Sequence, residues 1–157
     1  MITVETEVED EAWLRAVPDA EARARLAAEA ALEAGGHEGE AEVTLLFTDD
    51  AEQRALNAEH RGKDKSTNVL SFPSPEFALP HLGDISLAYG VCAAEAQAQG
   101  KPLANHLSHL VVHGVLHLLG WDHQNDTEAE EMEALERAVL AKLGVPDPYA
   151  AQNETDV

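Results

Sequence analysis

Apolar and polar residues alternate along Ile2-Thr-Val-Glu-Thr-Glu-Val8, the period of a strand with one face buried. Trp13 and the alanine-rich stretch from Asp19 to Ala34 read instead as helix, stopping at Gly35-Gly36, where glycine can take the left-handed conformation that ends helices. Val43-Thr-Leu-Leu-Phe47 is a compact β-prone run. Asp49 and Asp50 follow as N-cap candidates, with Glu52 three residues after Asp49, and predict a helix that carries Leu56 and finishes near Arg61. Thr67–Phe72 and Gly83–Ala88 predict two further strands, separated by a loop bearing Pro73 and Pro75.

Pro102 opens the next helix, in which Leu107, Leu110, Val111, Leu116, Leu118 and Leu119 leave little polar circumference, as expected of a central, buried helix. Thr127-Glu-Ala-Glu130 matches a capping box and predicts a last amphipathic helix, with Met132, Leu135, Val139 and Leu143 inward and Gly144 beyond its end. The fold class expected is α+β: a mixed sheet of about four strands packed with helices, the histidine-bearing helix most central. Strand order does not follow from the pattern. Residues 1–157 are read as one domain, with about 146–157 a loose tail.

Composition narrows the class. A single cysteine, Cys92 among alanines, excludes an intrachain disulfide and a cysteine-rich zinc site and fits a reducing cytosol. The first residues lack a basic start and an apolar run, and no stretch is long enough to span a bilayer, so a cytoplasmic protein without membrane partners is expected. The net charge of -20 speaks against a broadly cationic nucleic-acid surface. Distribution qualifies that, because Arg54, Arg61, Lys63 and Lys65 cluster while acid concentrates in segments such as Glu128 to Glu136. A local basic patch on an acidic body is compatible with the sequence, as is an ordinary exposed loop.

The chemistry concentrates in His113-Gly-Val-Leu-His117-Leu-Leu-Gly-Trp-Asp-His123. Residues four apart share a helix face, so His113 and His117 can converge on one point. A turn at Gly120 can swing His123 toward it. Three imidazoles with a fourth position for water describe a catalytic zinc site. His109 lies about 12 Å along the axis from His117, too far to share an ion, and is assigned to packing or to supporting a ligand; His106 reads as an ordinary residue near the helix start. A peptidase of the zincin type carries glutamate after its first histidine, where this chain has Gly114. Phosphodiester cleavage needs a metal and a cation on the phosphate, for which the planar fork of Arg61 is suited. A peptidase and a noncatalytic factor in which a structural metal only staples the fold are the alternatives.

Three blocks, Leu56 through Pro73, Leu82-Gly83-Asp84-Ile85, and His109 through His123, resemble the YbeY family of bacterial endoribonucleases. The resemblance implies a metal-dependent RNase with a preference for single strands. It further implies action on ribosomal RNA, including the small-subunit RNA 3′ end, a role in ribosome quality control, and ribosomal RNA and the ribosome or its proteins as partners. Residue by residue it makes His113, His117 and His123 ligands of one metal ion, zinc or another divalent metal such as nickel or copper, and Arg61 the functional arginine of the cleft. Asp84 falls in the matching Gly-Asp-Ile block and is assigned either to strand-end hydrogen bonding or to orienting a ligand histidine or substrate; Asp122 is equally open. Two positions depart from the pattern: His60 stands where an aromatic often precedes the arginine, and Ser66 where proline is common.

Overall fold

The computed structural model describes residues 2–121 and 125–149. Four strands, β1 (Ile2–Val8), β2 (Ala41–Thr48), β3 (Val69–Pro73) and β4 (His81–Ala88), form one sheet in the order β1-β2-β4-β3. The β1–β2 and β2–β4 pairs are parallel and β3 runs antiparallel to β4 at one edge. Six helices accompany them: α1 (Ala12–Ala16), α2 (Ala20–Ala34), α3 (Asp50–Arg61), α4 (Tyr89–Ala98), α5 (Leu103–Leu118) and α6 (Asp126–Lys142). The mixed α/β architecture expected from the hydrophobic pattern is thus the one observed.

Alternation along the central strands separates two layers. Ala41, Val43, Leu45 and Phe47 of β2 and Ile85 and Leu87 of β4 are buried together, on the face covered by α2 and α5. The alanines of α2, Ala24, Ala27, Ala28 and Ala31, are fully buried; their small side chains let α5 lie close against α2. Trp13 of α1 fills the core edge-on to Phe47 and Tyr89 at 5.6 and 5.5 Å. Its indole N–H donates to the carbonyls of Thr48 and Leu87, satisfying the one polar group that so large a buried ring carries.

On the other face, Ser86 hydrogen-bonds Gln53 of α3, and the Gln53 amide also donates to the Ser86 carbonyl at 3.0 Å. The N-terminus of α3 is capped as the sequence predicts, the Asp49 carboxylate accepting from the Glu52 N–H at 2.7 Å. Its C-terminus turns at Gly62 with φ 69°. Because Ser71 of β3 touches Gly114 of α5 while the next residue, Phe72, meets His60 of α3, α3 and α5 lie on opposite faces of the β3–β4 pair.

Three elements differ from expectation. Helix α4 has no clear apolar period and follows β4 without a turn. Helix α6 starts earlier, with the Asn125 side chain accepting from the Glu128 N–H at 2.9 Å; Asn125-x-x-Glu128 satisfies the same pattern as Thr127-x-x-Glu130, and the extended backbone at Asn125 selects it. The chain after Pro146 is not loose as far as Tyr149, whose hydroxyl is hydrogen-bonded to Glu136. Among the described residues no helix is long and apolar enough to cross a membrane.

Candidate metal centre

Helix α5 is packed by α2, α4, α6, β3 and β4, and its apolar residues face that shell. The histidines occupy the stripe left over. His113 and His117, one turn apart, bring their Nε2 atoms to 3.0 Å, with ring centroids at 4.5 Å and planes at 83°. Two ligands bonded to one tetrahedral ion at about 2.0–2.1 Å stand about 3.3 Å from each other, so this pair fits two corners of a zinc site. Gly120 has φ 96°, the left-handed turn expected beyond the helix. His123 and Asp122 lie outside the described residues.

The remaining nitrogen of His113 is held from behind. Its Nδ1 is 3.1 Å from the Glu136 carboxylate of α6, which leaves Nε2 as the lone-pair side of the ring. Glu136 is 1% exposed and also accepts from His109 Nε2 at 3.1 Å and from the Tyr149 hydroxyl. Burial pushes its pKa up, but hydrogen bonds from His109 and His113, and the positive charge those rings carry when protonated, outweigh that and hold it at about 2. His109 therefore shares its carboxylate partner with His113, and it lies too far along the helix from His117 to share an ion with it. His106 departs from its reading as an ordinary helix residue: it is buried, with Nε2 2.9 Å from Glu95 of α4.

Asp84 goes elsewhere. It points to the face opposite α5 and pairs with His81, Oδ1 to Nε2 3.0 Å, with its side chain 56% exposed. This is the strand-end hydrogen bond; the carboxylate that orients a ligand-candidate histidine is Glu136. Gly114 has a packing reason, since a Cβ there would come within 3.1–3.2 Å of Ile85 and the Ser71 hydroxyl. The position that a zincin fills with glutamate is pressed against the sheet.

Arg61 is exposed at the end of α3. Nearby, Arg54 is tied to Asp64 by two hydrogen bonds at 2.7 and 3.1 Å, whereas Arg61, Lys63 and Lys65 form no ion pair among the described residues. His60 packs its ring on Phe72 at 5.0 Å, so it serves as the aromatic its position calls for. Helices α3 and α5 run the same way across the β3–β4 pair and end at the same level: His60 at Phe72, the partner of Asp84, and Leu118 against Gly83. Arg61 and His117 thus lie near the ends of two helices on opposite faces of the β3–β4 pair.

Sequence reasoning missed Glu136 and Tyr149. One signal for Glu136 was present: it falls on the inner stripe of α6, four residues after Met132 and three before Val139, where a carboxylate needs a buried partner.

Residues 6–144 match the model of the family described as endoribonuclease YbeY. The chain belongs to the endoribonuclease YbeY family. It is 51% identical over 160 residues to Endoribonuclease YbeY of Paramagnetospirillum magneticum, covering 96% of this chain and 98% of that one. Against Endoribonuclease YbeY of Azorhizobium caulinodans it is 54% identical over 153 residues, covering 94% and 96%. The solution structure of TM1509 from Thermotoga maritima shares the fold, with a TM-score of 0.56 at 24% identity over 91% of both chains. The span matched by the family model includes Arg61, Asp84, the three histidines and Glu136, and ends before Tyr149.

Proposed function

We propose that this member of the YbeY family cleaves single-stranded ribosomal RNA in a metal-dependent reaction, in maturation that includes the small-subunit RNA 3′ end and in ribosome quality control. The observation that carries the proposal is the pair of imidazole nitrogens 3.0 Å apart with a buried carboxylate behind one of them. The relatives' name, Endoribonuclease YbeY, directs that chemistry to RNA. His113, His117 and His123 would hold one zinc ion. Zinc, when bound, supplies Lewis-acid charge and brings the pKa of water toward 7.

The protein's own groups do the rest. Glu136 keeps the proton of His113 on Nδ1. Arg61, at the end of α3, donates its two parallel N–H groups to the non-bridging phosphate oxygens and offsets their charge. A strand of RNA crossing the end of β3 meets both. Lys63 and Lys65 follow Arg61 in the same exposed loop and extend the contact along the backbone. The net charge of -20 repels bulk RNA, which suits a protein brought to its site in the cytoplasm by the ribosome or a basic ribosomal protein.

The test is cleavage of a single-stranded ribosomal RNA fragment by metal-analysed protein, with and without chelator and after zinc is restored, beside an unstructured protein as substrate. RNA cleavage lost with chelator and regained with zinc is expected. Cleavage of the protein substrate, or RNA cleavage indifferent to chelator, would overturn the reading.

A further inference from the structure

Beyond the span matched by the family model, the described residues run to Tyr149. We propose that Tyr149 is a positioning residue of the metal centre, acting on His113 through Glu136; this rests on the metal-dependent reading above.

Glu136 presents two buried oxygens. Oε1 accepts from His109 Nε2 and His113 Nδ1, both at 3.1 Å. Oε2 has one donor among the described residues, the Tyr149 hydroxyl at 3.0 Å, which also lies 3.1 Å from Oε1. A buried anionic oxygen without a donor is costly. Removing that hydroxyl leaves the carboxylate free to turn toward another partner and away from His113. With Glu136 turned away, Nδ1 loses the acceptor that orients its N–H, and the tautomer that blocks Nε2 gains population.

Tyr149 is held for this task. Its backbone N–H donates to the Asp147 carboxylate at 2.8 Å. Arg137 lies over its ring at 5.6 Å and reaches Asp147 at 3.8 Å. The ring stands edge-on to His109 at 5.5 Å. Helix α6 thereby fixes both the carboxylate and the residue that completes its hydrogen bonds. Tyr149, His113, Met132 and Glu136 line a cavity of about 190 Å³, so the tyrosine also forms a wall behind the ligand-candidate histidine.

The test uses the full chain and zinc itself. Zinc dissociation constants are measured by competition with a chromophoric chelator for wild type, Tyr149→Phe and Glu136→Gln, beside melting of each protein stripped of metal and the visible spectrum of each cobalt-substituted form. Tyr149→Phe, which keeps the ring, is expected to weaken zinc binding roughly tenfold. Glu136→Gln is expected to weaken it by about 10- to 100-fold. Both should alter the cobalt spectrum. An unchanged dissociation constant and spectrum in Tyr149→Phe, even with a lowered metal-free melting temperature, would make the tyrosine structural only and overturn the proposal. Wild-type protein that binds no zinc would overturn the metal reading instead. Should Glu136→Gln fail to fold, Tyr149→Phe decides alone.

Discussion

His113 and His117 face each other across one turn of α5 with their Nε2 atoms 3.0 Å apart, a spacing that a tetrahedral ion bridges and that two neutral imidazoles fill only if one donates to the other. His117→Ala removes one corner. Bound zinc, read by elemental analysis of the purified protein, should fall to a small fraction of the wild-type content, and added zinc should no longer raise the melting temperature. Asp84→Asn is the contrast: it breaks an exposed pair with His81, so zinc content should stay at wild-type level and stability should change by under about 1 kcal/mol.

Arg61 ends α3, on the face of the β3–β4 pair opposite α5. Arg61→Ala should abolish RNA cleavage while zinc content and melting temperature remain as in wild type; cleavage at the wild-type rate would remove the arginine from the reaction. With only Arg61, Lys63 and Lys65 unpaired in this loop, log affinity for single-stranded RNA should fall against log salt with a slope on the order of −2, and Arg61→Ala should make it shallower by about 0.7. A steep slope in wild type would point to a larger basic surface.

Gly114 is where the helix meets the sheet, its missing Cβ facing Ile85 and Ser71 at 3.1–3.2 Å. Gly114→Glu would press a charged side chain into that contact. Overpacking together with an unpaired buried charge should cost about 3 kcal/mol or more, measured by urea denaturation. A variant as stable as wild type would mean the contact yields and the glycine has another reason.

His106 is buried against Glu95. Burial pushes its pKa below the ordinary 6.5, the hydrogen bond it donates to Glu95 only partly opposing this. The unfolded chain therefore takes up this proton at higher pH than the folded one. The stabilisation is present above about 6.5 and is lost as pH falls through the folded value. His106→Gln cannot titrate, so its melting temperature should fall less than that of wild type between pH 7.5 and 5. Parallel curves would remove His106 from the acid sensitivity.

Cys92 is fully buried on α4. Burial, with the negative charges of Glu95 and Asp50, pushes its thiol well above the ordinary range, so it stays protonated and unreactive. Mass spectrometry after iodoacetamide at pH 8 should find no adduct in the native protein and one in denaturant. An adduct on the native protein would show that α4 opens readily.

Much of the site was legible because it is local. The His113–His117 pair needs only a helix and a spacing of four; the Asp49 cap needs only Glu52 three residues on. A local pattern also misleads locally, since Asn125 and Thr127 offered equivalent caps two residues apart and backbone geometry decided between them. Helix α4 escaped notice because alanine and glycine give it little apolar contrast between faces.

The sequence by itself determined the strands, the long helices, the two facing histidines and the arginine at a helix end, because each depends on residues within one or two turns of one another. Only the tertiary structure decided the strand order, the placement of Arg61 across the β3–β4 pair from α5, and the choice of Glu136 over Asp84 as the carboxylate behind His113. Periodicity tells which face of an element is apolar and not what it packs against. The partners of His113 and Glu136 come from α6 and Tyr149, joined to α5 by burial rather than by sequence spacing.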